Sequence, residues 1–411
     1  MLTRKMKDSE IEWIGEIPED WDVSKIGSHY IERTDKVSDL EFEPLSVTKN
    51  GIVPQLETAA KSSNHNNRKL VLKNDFVINS RSDRKMSAGI SSMDGSVSVI
   101  NTVLYSNTID RDYTKYLLKN YAFAEEFYRW GTGIVDDLWS TKWLKMKNIS
   151  IPVPPNDKQK QIGQTLDRLT QNTNNIITET QQSIEELKKY KQSLITEAVT
   201  KGLDPNVEMK DSGIEWIGKI PSNWDINKMK YVTRVNESKY DFIAGETYIG
   251  LENVVSFEGV LNGHGKLATN SRESYFEKGN ILYSKLRPYL AKAFIADFSG
   301  ACSGEFIVFS EFKGNKRYLL YWLISQTFTD FINATSYGTK MPRSSWEYIK
   351  ETFIPRPTKD VENRIVSYLD EQTSRIDKLI ADKTKVIEEL EDYKKSLIYE
   401  YVTGKKKCKG G

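Results

Sequence analysis

DSEIEWIGEIPEDWD occupies residues 8–22, and DSGIEWIGKIPSNWD occupies residues 211–225. The two stretches agree at 11 of 15 positions, at an offset of 203 residues. Repetition at a fixed period reports architecture before it reports chemistry. The offset returns downstream, where residues 151–200 and 354–403 share 21 identities in 50 positions without a gap. Two copies of 203 residues fill 406 of the 411 positions, so the chain reads as a tandem duplication. Residues 26–150 and 229–353 resemble each other only faintly. LKNDFVINSRSD from Leu72 matches FEKGNILYSKLRP from Phe276 with a drift of about two residues. Each copy is therefore a constant frame around a variable insert.

Composition narrows the function classes. With 59 basic and 57 acidic side chains the net charge is near zero, which argues against a uniformly basic coat protein but allows local basic patches. No run of eighteen apolar residues predicts a membrane span, and the start MLTRKMKDSEIEW has no apolar signal region. Cys302 and Cys408 are too few for a disulfide framework or a zinc site, which suits a reduced cytoplasmic protein. No phosphate loop, dinucleotide fingerprint or zinc-helix motif occurs, and no metal site is expected. Asp297, Glu311 and Lys313 could imitate a nuclease centre, but the first copy has no counterpart and no catalytic residue is assigned.

The repeated parts carry structure. Proline is absent between Asp157 and Lys201, where apolar residues fall at Ile162, Leu166, Leu169, Ile176, Ile184, Leu187 and Leu194. The second copy repeats this at Ile365, Leu369, Ile376, Leu379, Ile387, Leu390 and Leu397. Three- and four-residue steps predict two amphipathic helices of roughly 40 residues, about 60 Å each. A helix so long and so polar needs a partner for its stripe, and equivalent stripes predict an antiparallel coiled coil. The EWIGxIPxxW stretches read as straps whose tryptophans (Trp13, Trp21, Trp216, Trp224) anchor each copy to its frame. The expected organisation is a strap over 1–25, a first insert domain over 26–155 and a long helix over 156–203. A second strap over 204–228, a second insert domain over 229–358, a second helix over 359–404 and a basic tail over 405–411 follow. The fold class is α+β, two α/β domains separated by paired helices with a pseudo-twofold axis.

The variable parts carry the candidate sites. After the strand-like FVIN stand Ser80, Arg81, Arg84 and Lys85; after ILYS stand Lys285, Arg287 and Tyr289. Beyond each insert's helix a glycine-containing turn offers Trp139 and Lys142 in the first copy, then Tyr337, Lys340, Arg343 and Ser344 in the second. Such cations neutralise phosphates, and arginine can read guanine edges bidentately. Basic loops at corresponding places in both inserts point to double-stranded DNA. A duplicated coiled-coil scaffold whose inserts bind proteins is the competing reading.

Strap, insert and helix, in that order and twice, resemble the specificity subunit (HsdS) of type I restriction-modification systems. The resemblance rests on EWIGEIPEDW and EWIGKIPSNW, on ISIPVPP and TFIPRP, and on IEELKKYKQSLITEAVTKG and IEELEDYKKSLIYEYVTG. GNILYSKLRPYLAK with CSGEFIVF is similar to a common core of that family's target-recognition domains, whereas NSRSDRKMSAGISSMDGS lacks the LRPYL form. The resemblance implies that each domain reads one half of a bipartite, asymmetric DNA site. It implies that the helices set the spacer and dock two HsdM methyltransferase subunits, which hold S-adenosylmethionine and methylate adenine. HsdR subunits, using ATP and Mg, would complete the restriction complex. This chain would then be a non-catalytic subunit without cofactor, in the cytoplasm of a bacterium or archaeon.

Overall fold

The computed structural model describes residues 4–57, 65–133, 139–338 and 340–408. The two long helices run Asn156–Lys201 and Lys359–Val402. Burial along the first recurs at 163, 166, 170, 173, 177, 180, 184, 187, 191, 194 and 198, each buried or half-buried. The second repeats the pattern at 362, 366, 369, 373, 376, 380, 383, 387, 390, 394, 397 and 401. Strict alternation of three and four is the heptad spacing of a coiled coil.

Five expected stripe residues stand one position off this seam; Ile162, Leu169 and Ile365 remain buried or half-buried there, and two are corrected to the surface. Ile176 and Leu379 are each 49% exposed, and Ile177 and Ile380 take the seam positions. The apolar pattern misleads there because the seam passes through threonines and lysines. Thr170 and Thr173 return their hydroxyls to the carbonyls of Leu166 and Leu169 at 2.6 and 3.0 Å. Lys191, itself a seam residue, is buried.

The chain divides into two units, one comprising 1–180 with 385–411, the other 181–384. Each takes one half of each long helix. In the first unit Ile162 and Leu166 share a core with Leu397, Tyr401 and Val402, and Lys394 Nζ donates to Asn174 Oδ1 at 2.8 Å. In the second, Ile195 and Val199 share a core with Ile365 and Leu369, and Lys191 Nζ donates to Asp377 Oδ1 at 2.6 Å. Numbers rise along one helix as they fall along the other, so the pairing is antiparallel in both. Lys191–Asp377 and Lys394–Asn174 are counterparts at the 203-residue offset.

Each strap is a two-stranded hairpin, Met6–Asp8 with Glu16–Pro18 and Met209–Asp211 with Lys219–Pro221. Trp13, Trp21 and Trp224 are buried in core and Trp216 stacks on Phe331 at 4.2 Å, which is an anchoring role. In the first unit Tyr399 and Lys405 both donate to the carbonyl of Ile14. Lys405 of the expected tail is therefore attached, while 409–411 lie outside the described residues.

The inserts hang from two-stranded stems. Asp22–Lys25 pairs antiparallel with Ser150–Val153, and Asp225–Lys228 with Phe353–Arg356. Lys25 faces Ser150 and Lys228 faces Phe353, so each insert begins and ends at paired residues. In the first unit an antiparallel sheet orders Ala88–Ile90, Phe76–Asn79, Asn101–Tyr105 and Ile31–Glu32. The second orders Ala293–Ile295, Ile281–Ser284, Phe306–Phe312 and Thr233–Val235 the same way. A second sheet in that unit has five strands, where its first-unit counterpart has three.

Helices then carry each insert back to its frame. Arg111–Leu117 and Lys316–Ile324 present Tyr113 and Tyr318, which lie 205 residues apart. Both are fully buried and make parallel contacts. Tyr113 shares its hydroxyl between the carbonyls of Pro152 and Val402 at 3.1 and 2.9 Å, and Tyr318 between those of Pro355 and Val199 at 3.0 and 3.1 Å. The acceptors Val402 and Val199 lie in the last turns of the long helices, where carbonyls lack intrahelical donors. Burial pushes both phenols well up, so they remain donors. Tyr116 and Tyr321 donate to Asp167 and Asp370, both at 2.6 Å.

One frame contact uses two chemistries. Gln159 Oε1 accepts from the amide of Asp110 at 2.7 Å; at the equivalent place Glu362 Oε2 accepts from the amide of Asn315 at 2.7 Å. Arg356 Nε lies 3.2 Å from Glu362 Oε1 but off the hydrogen-bonding direction. Burial therefore outweighs the Asn315 amide and Arg356, and raises the Glu362 pKa. A carboxyl raised above its unfolded value loses stability as pH climbs through the carboxylate range. Glu362→Gln is thus expected to match or exceed the parent at neutral pH and to converge with it below about pH 4. Glu362→Ala, which orphans the Asn315 amide, should cost about 1–3 kcal/mol. Urea unfolding at both pH values checks this; a Gln variant as weak as the Ala variant would contradict it.

Candidate nucleic-acid interface

In each unit the loop after Phe76–Asn79 or Ile281–Ser284 meets the turn after the insert's second helix, Tyr121–Arg129 or Gln326–Ala334. In the first, the amide of Ser82 donates to the carbonyl of Trp139 at 3.0 Å, and that of Thr141 to Ser80 at 2.9 Å. In the second, the amide of Arg287 donates to Pro342 at 2.7 Å, and that of Ser344 to Lys285 at 2.8 Å. The turns themselves close through reciprocal bonds, Thr132 with Ser140 and Tyr337 with Arg343. The same backbone platform is thus built twice, and it gathers the expected site residues of each copy.

The two-residue drift has a place. Phe76 to Ile281 and Arg111 to Lys316 are 205 residues apart, whereas Trp143 to Trp346 is 203. The turn after the second helix is two residues longer in the first copy, which restores register. Residues 134–138 and 339 of these turns lie outside the described residues.

The side chains sort into three groups. Arg81, Lys142, Arg287 and Lys340 are exposed and make no ion pair among the described residues; Lys285 is half-buried and likewise unpaired. Tyr289 and Tyr337 are 42% and 63% exposed. Arg287 holds a left-handed backbone (φ 50°), and Ala291 behind it (φ 42°) does too. Such strain in non-glycine residues costs about 1–3 kcal/mol each and concentrates at functional loops.

A second group is engaged within the protein. Arg84 lies 3.5 Å from Asp83. Lys85 lies 3.3 Å from Glu125 and over the ring of Tyr128. Arg343 donates to Glu305 Oε1 at 2.6 Å.

Three expected contacts are corrected to framework. Ser80 is buried and donates to the carbonyl of Ile100 at 2.7 Å. Ser344 is buried, its hydroxyl enclosed without a partner. Trp139 is half-buried, and its indole N–H donates to the carbonyl of Tyr128 at 2.8 Å. It lies so close to Gly131 that a Cβ there would sit 2.1 Å from the indole nitrogen. Hydroxyls and indoles that close a turn look in sequence like hydroxyls and indoles that touch a ligand.

Beside each platform lies a cleft, about 440 Å³ in the first unit and about 330 Å³ in the second. Both are lined by the equivalent tryptophans, Trp143 and Trp346. Their polar content differs. The first holds Lys69, which donates to Glu32 at 2.7 Å and to the carbonyl of Asn101 at 2.9 Å. The second holds Lys285 and Arg343, with Glu305 beside it. Glu32, Lys69 and Glu305 were missed by sequence reasoning, because single charged residues in or beside strands carry no spacing signal. Burial pushes the Cys302 thiol up to about 12, which disfavours its thiolate. Among the described residues no cluster of three metal-ligating side chains occurs, and no helix is long and apolar enough to cross a membrane.

The chain is similar to known proteins in sequence and in fold. The family profile described as type I restriction modification DNA specificity domain matches residues 218–389. The type I restriction enzyme MjaVIII specificity subunit of Methanocaldococcus jannaschii is 29% identical over 64% of this chain, and the EcoDI specificity subunit of Escherichia coli 23% identical over 54%. The chain spans 63% and 55% of those two relatives' lengths. The putative MjaX specificity subunit of M. jannaschii is 25% identical over 96% of both chains. Among solved structures, the HsdS subunit of Thermoanaerobacter tengcongensis covers 94% of this chain at a TM-score of 0.53 and 14% identity. A chain from a structure of type I R-M complex assembly and conformational transition also covers 94%, at a TM-score of 0.71 and 13% identity. In its duplicated frame, paired helices and two distinct inserts the chain is similar to the specificity subunits of type I restriction-modification systems, and residues 218–389 match their DNA specificity domain.

Proposed function

We propose that this chain reads DNA for a type I restriction-modification complex, each insert recognising one half of a bipartite, asymmetric site. The observation that carries this reading is the twice-built platform, with the same backbone bonds and different side chains. Equivalent geometry suits two stretches of the same polymer, and unequal side chains suit two different sequences. The long helices set the unspecified spacer and dock two HsdM subunits, which supply S-adenosylmethionine and transfer methyl groups to adenine. HsdR subunits with ATP and Mg complete the restriction form. The chain itself contributes recognition and no catalysis, in the cytoplasm of its host.

The test is a map of N6-methyladenine in cells carrying this gene with its modification partner. A two-part motif with a fixed gap is expected; methylation without any motif would reject the reading and favour a scaffold. Within it, exposed cations without partners serve phosphates, because nothing fixes their direction. Arg287→Ala is expected to weaken binding of every duplex alike and to lower the slope of log K against log salt by about one. Titration of the complex on cognate and scrambled duplexes over a salt series checks this; a loss confined to cognate DNA would assign Arg287 to a base.

A further inference from the structure

We infer that Arg343 reads a guanine in the half-site of the second insert and that Glu305 is the residue that positions it. The inference rests on the DNA-reading function proposed above. Arg343 differs from the other cations of its platform in already having a counter-charge, with Nη2 at 2.6 Å from Glu305 Oε1. Its backbone is pinned in both directions to Tyr337, at 3.1 and 2.9 Å. Its side chain is nonetheless 43% exposed, at the edge of the second cleft.

Charge decides what such a group can bind. An arginine neutralised by a carboxylate gains little from a phosphate, and the carboxylate repels that phosphate. The remaining N–H donors of the guanidinium still suit a neutral pair of acceptors. In the major groove, O6 and N7 of guanine form that pair. The fork is pre-oriented, so little freedom is lost on binding. Beside the cleft, Glu305 Oε2 is buried, which leaves Oε1 as the oxygen that holds the guanidinium.

The first unit supplies the contrast. Ser140 stands at the place of Arg343, making the same bonds to Thr132 that Arg343 makes to Tyr337. Ile100 stands 205 residues before Glu305, at the drift that relates the neighbouring strands. Neither member of the pair exists there, and the cleft instead holds Lys69 with Glu32. Arg81 and Lys142 also line that first cleft, so it is the Arg343–Glu305 pair, an arginine held by a carboxylate, that belongs to the second unit only.

The test uses the full chain co-expressed with its modification partner, comparing parent, Arg343→Ala, Arg343→Lys and Glu305→Gln. The readouts are the genomic N6-methyladenine motif and binding to duplexes varied one base pair at a time. One position of the second half-site is expected to be fixed as guanine in the parent. Both Arg343 variants should lose that preference roughly ten- to hundredfold, with the first half-site unchanged as an internal control of folding. Glu305→Gln, which frees the arginine for phosphates, should lose discrimination at the same base while its nonspecific binding rises and becomes more salt-dependent. A purely structural pair would not shift that balance. An unaltered motif in Arg343→Ala, or equal weakening on all sequences, would overturn the assignment while leaving the DNA-reading function standing. A parent without any motif would overturn both.

Discussion

Trp224→Ala is expected to lower the unfolding free energy by about 3–5 kcal/mol, the range for truncating a buried aromatic. Trp224 is 3% exposed and belongs to the core that holds Ile195, Ala198, Val199, Ile220 and Ile354. Its indole lies against Gly202, the left-handed residue (φ 78°) that follows the first long helix, where a Cβ would stand 3.2 Å away. The side chain therefore joins strap, helix end and insert stem at one point, and little can collapse into the space it leaves. Trp21 is its counterpart in the first unit, 1% exposed against Gly404 (φ 75°). Urea unfolding of the purified chain measures the loss. A shift below about 1 kcal/mol together with an altered methylation motif would make these tryptophans readers rather than anchors, and reverse the assignment.

The largest functional change should come from replacing residues 229–353 with the corresponding insert of a type I restriction enzyme specificity subunit. The second half of the recognised motif is expected to become the donor's, and the first half to stay. Affinity for the former site should fall by about three orders of magnitude or more, toward nonspecific binding. The graft is geometrically clean because Lys228 and Phe353 are paired across the stem. A donor must bring its own equivalents of Tyr318 and Tyr321, which tie the insert to Val199 and Pro355 and to Asp370. Methylation mapping of the chimera is the measurement. Change in both halves would mean that the inserts do not read independently.

The frame was legible because it is said twice. Straps and long helices follow from identities at one offset, and the antiparallel pairing follows from matched stripes. The seam was displaced by one residue at Ile176 and Leu379, since threonine and lysine at heptad positions do not register as apolar. Tyr113 and Tyr318 were overlooked for another reason: they match at 205 residues, not 203, and a single offset hides them. The candidate site was legible as chemistry and not as partnership. Cations near loops are visible in a sequence, but Glu305 beside Arg343, or the carbonyl that takes the Ser80 hydroxyl, depends on which strands become neighbours. Side chains that finish a turn and side chains that meet a ligand are drawn from the same residue types.

The division of each long helix between two units has an evolutionary consequence. The segment that completes the first unit, 385–411, comes from the second copy, and the one that completes the second, 181–203, comes from the first. A chain holding a single copy would lack the tail that completes its unit, and a sister molecule could supply it by exchange. On the DNA-reading function proposed above, such an exchanged dimer would present two identical inserts to a symmetric site, and joining the copies in one chain would let each insert diverge alone.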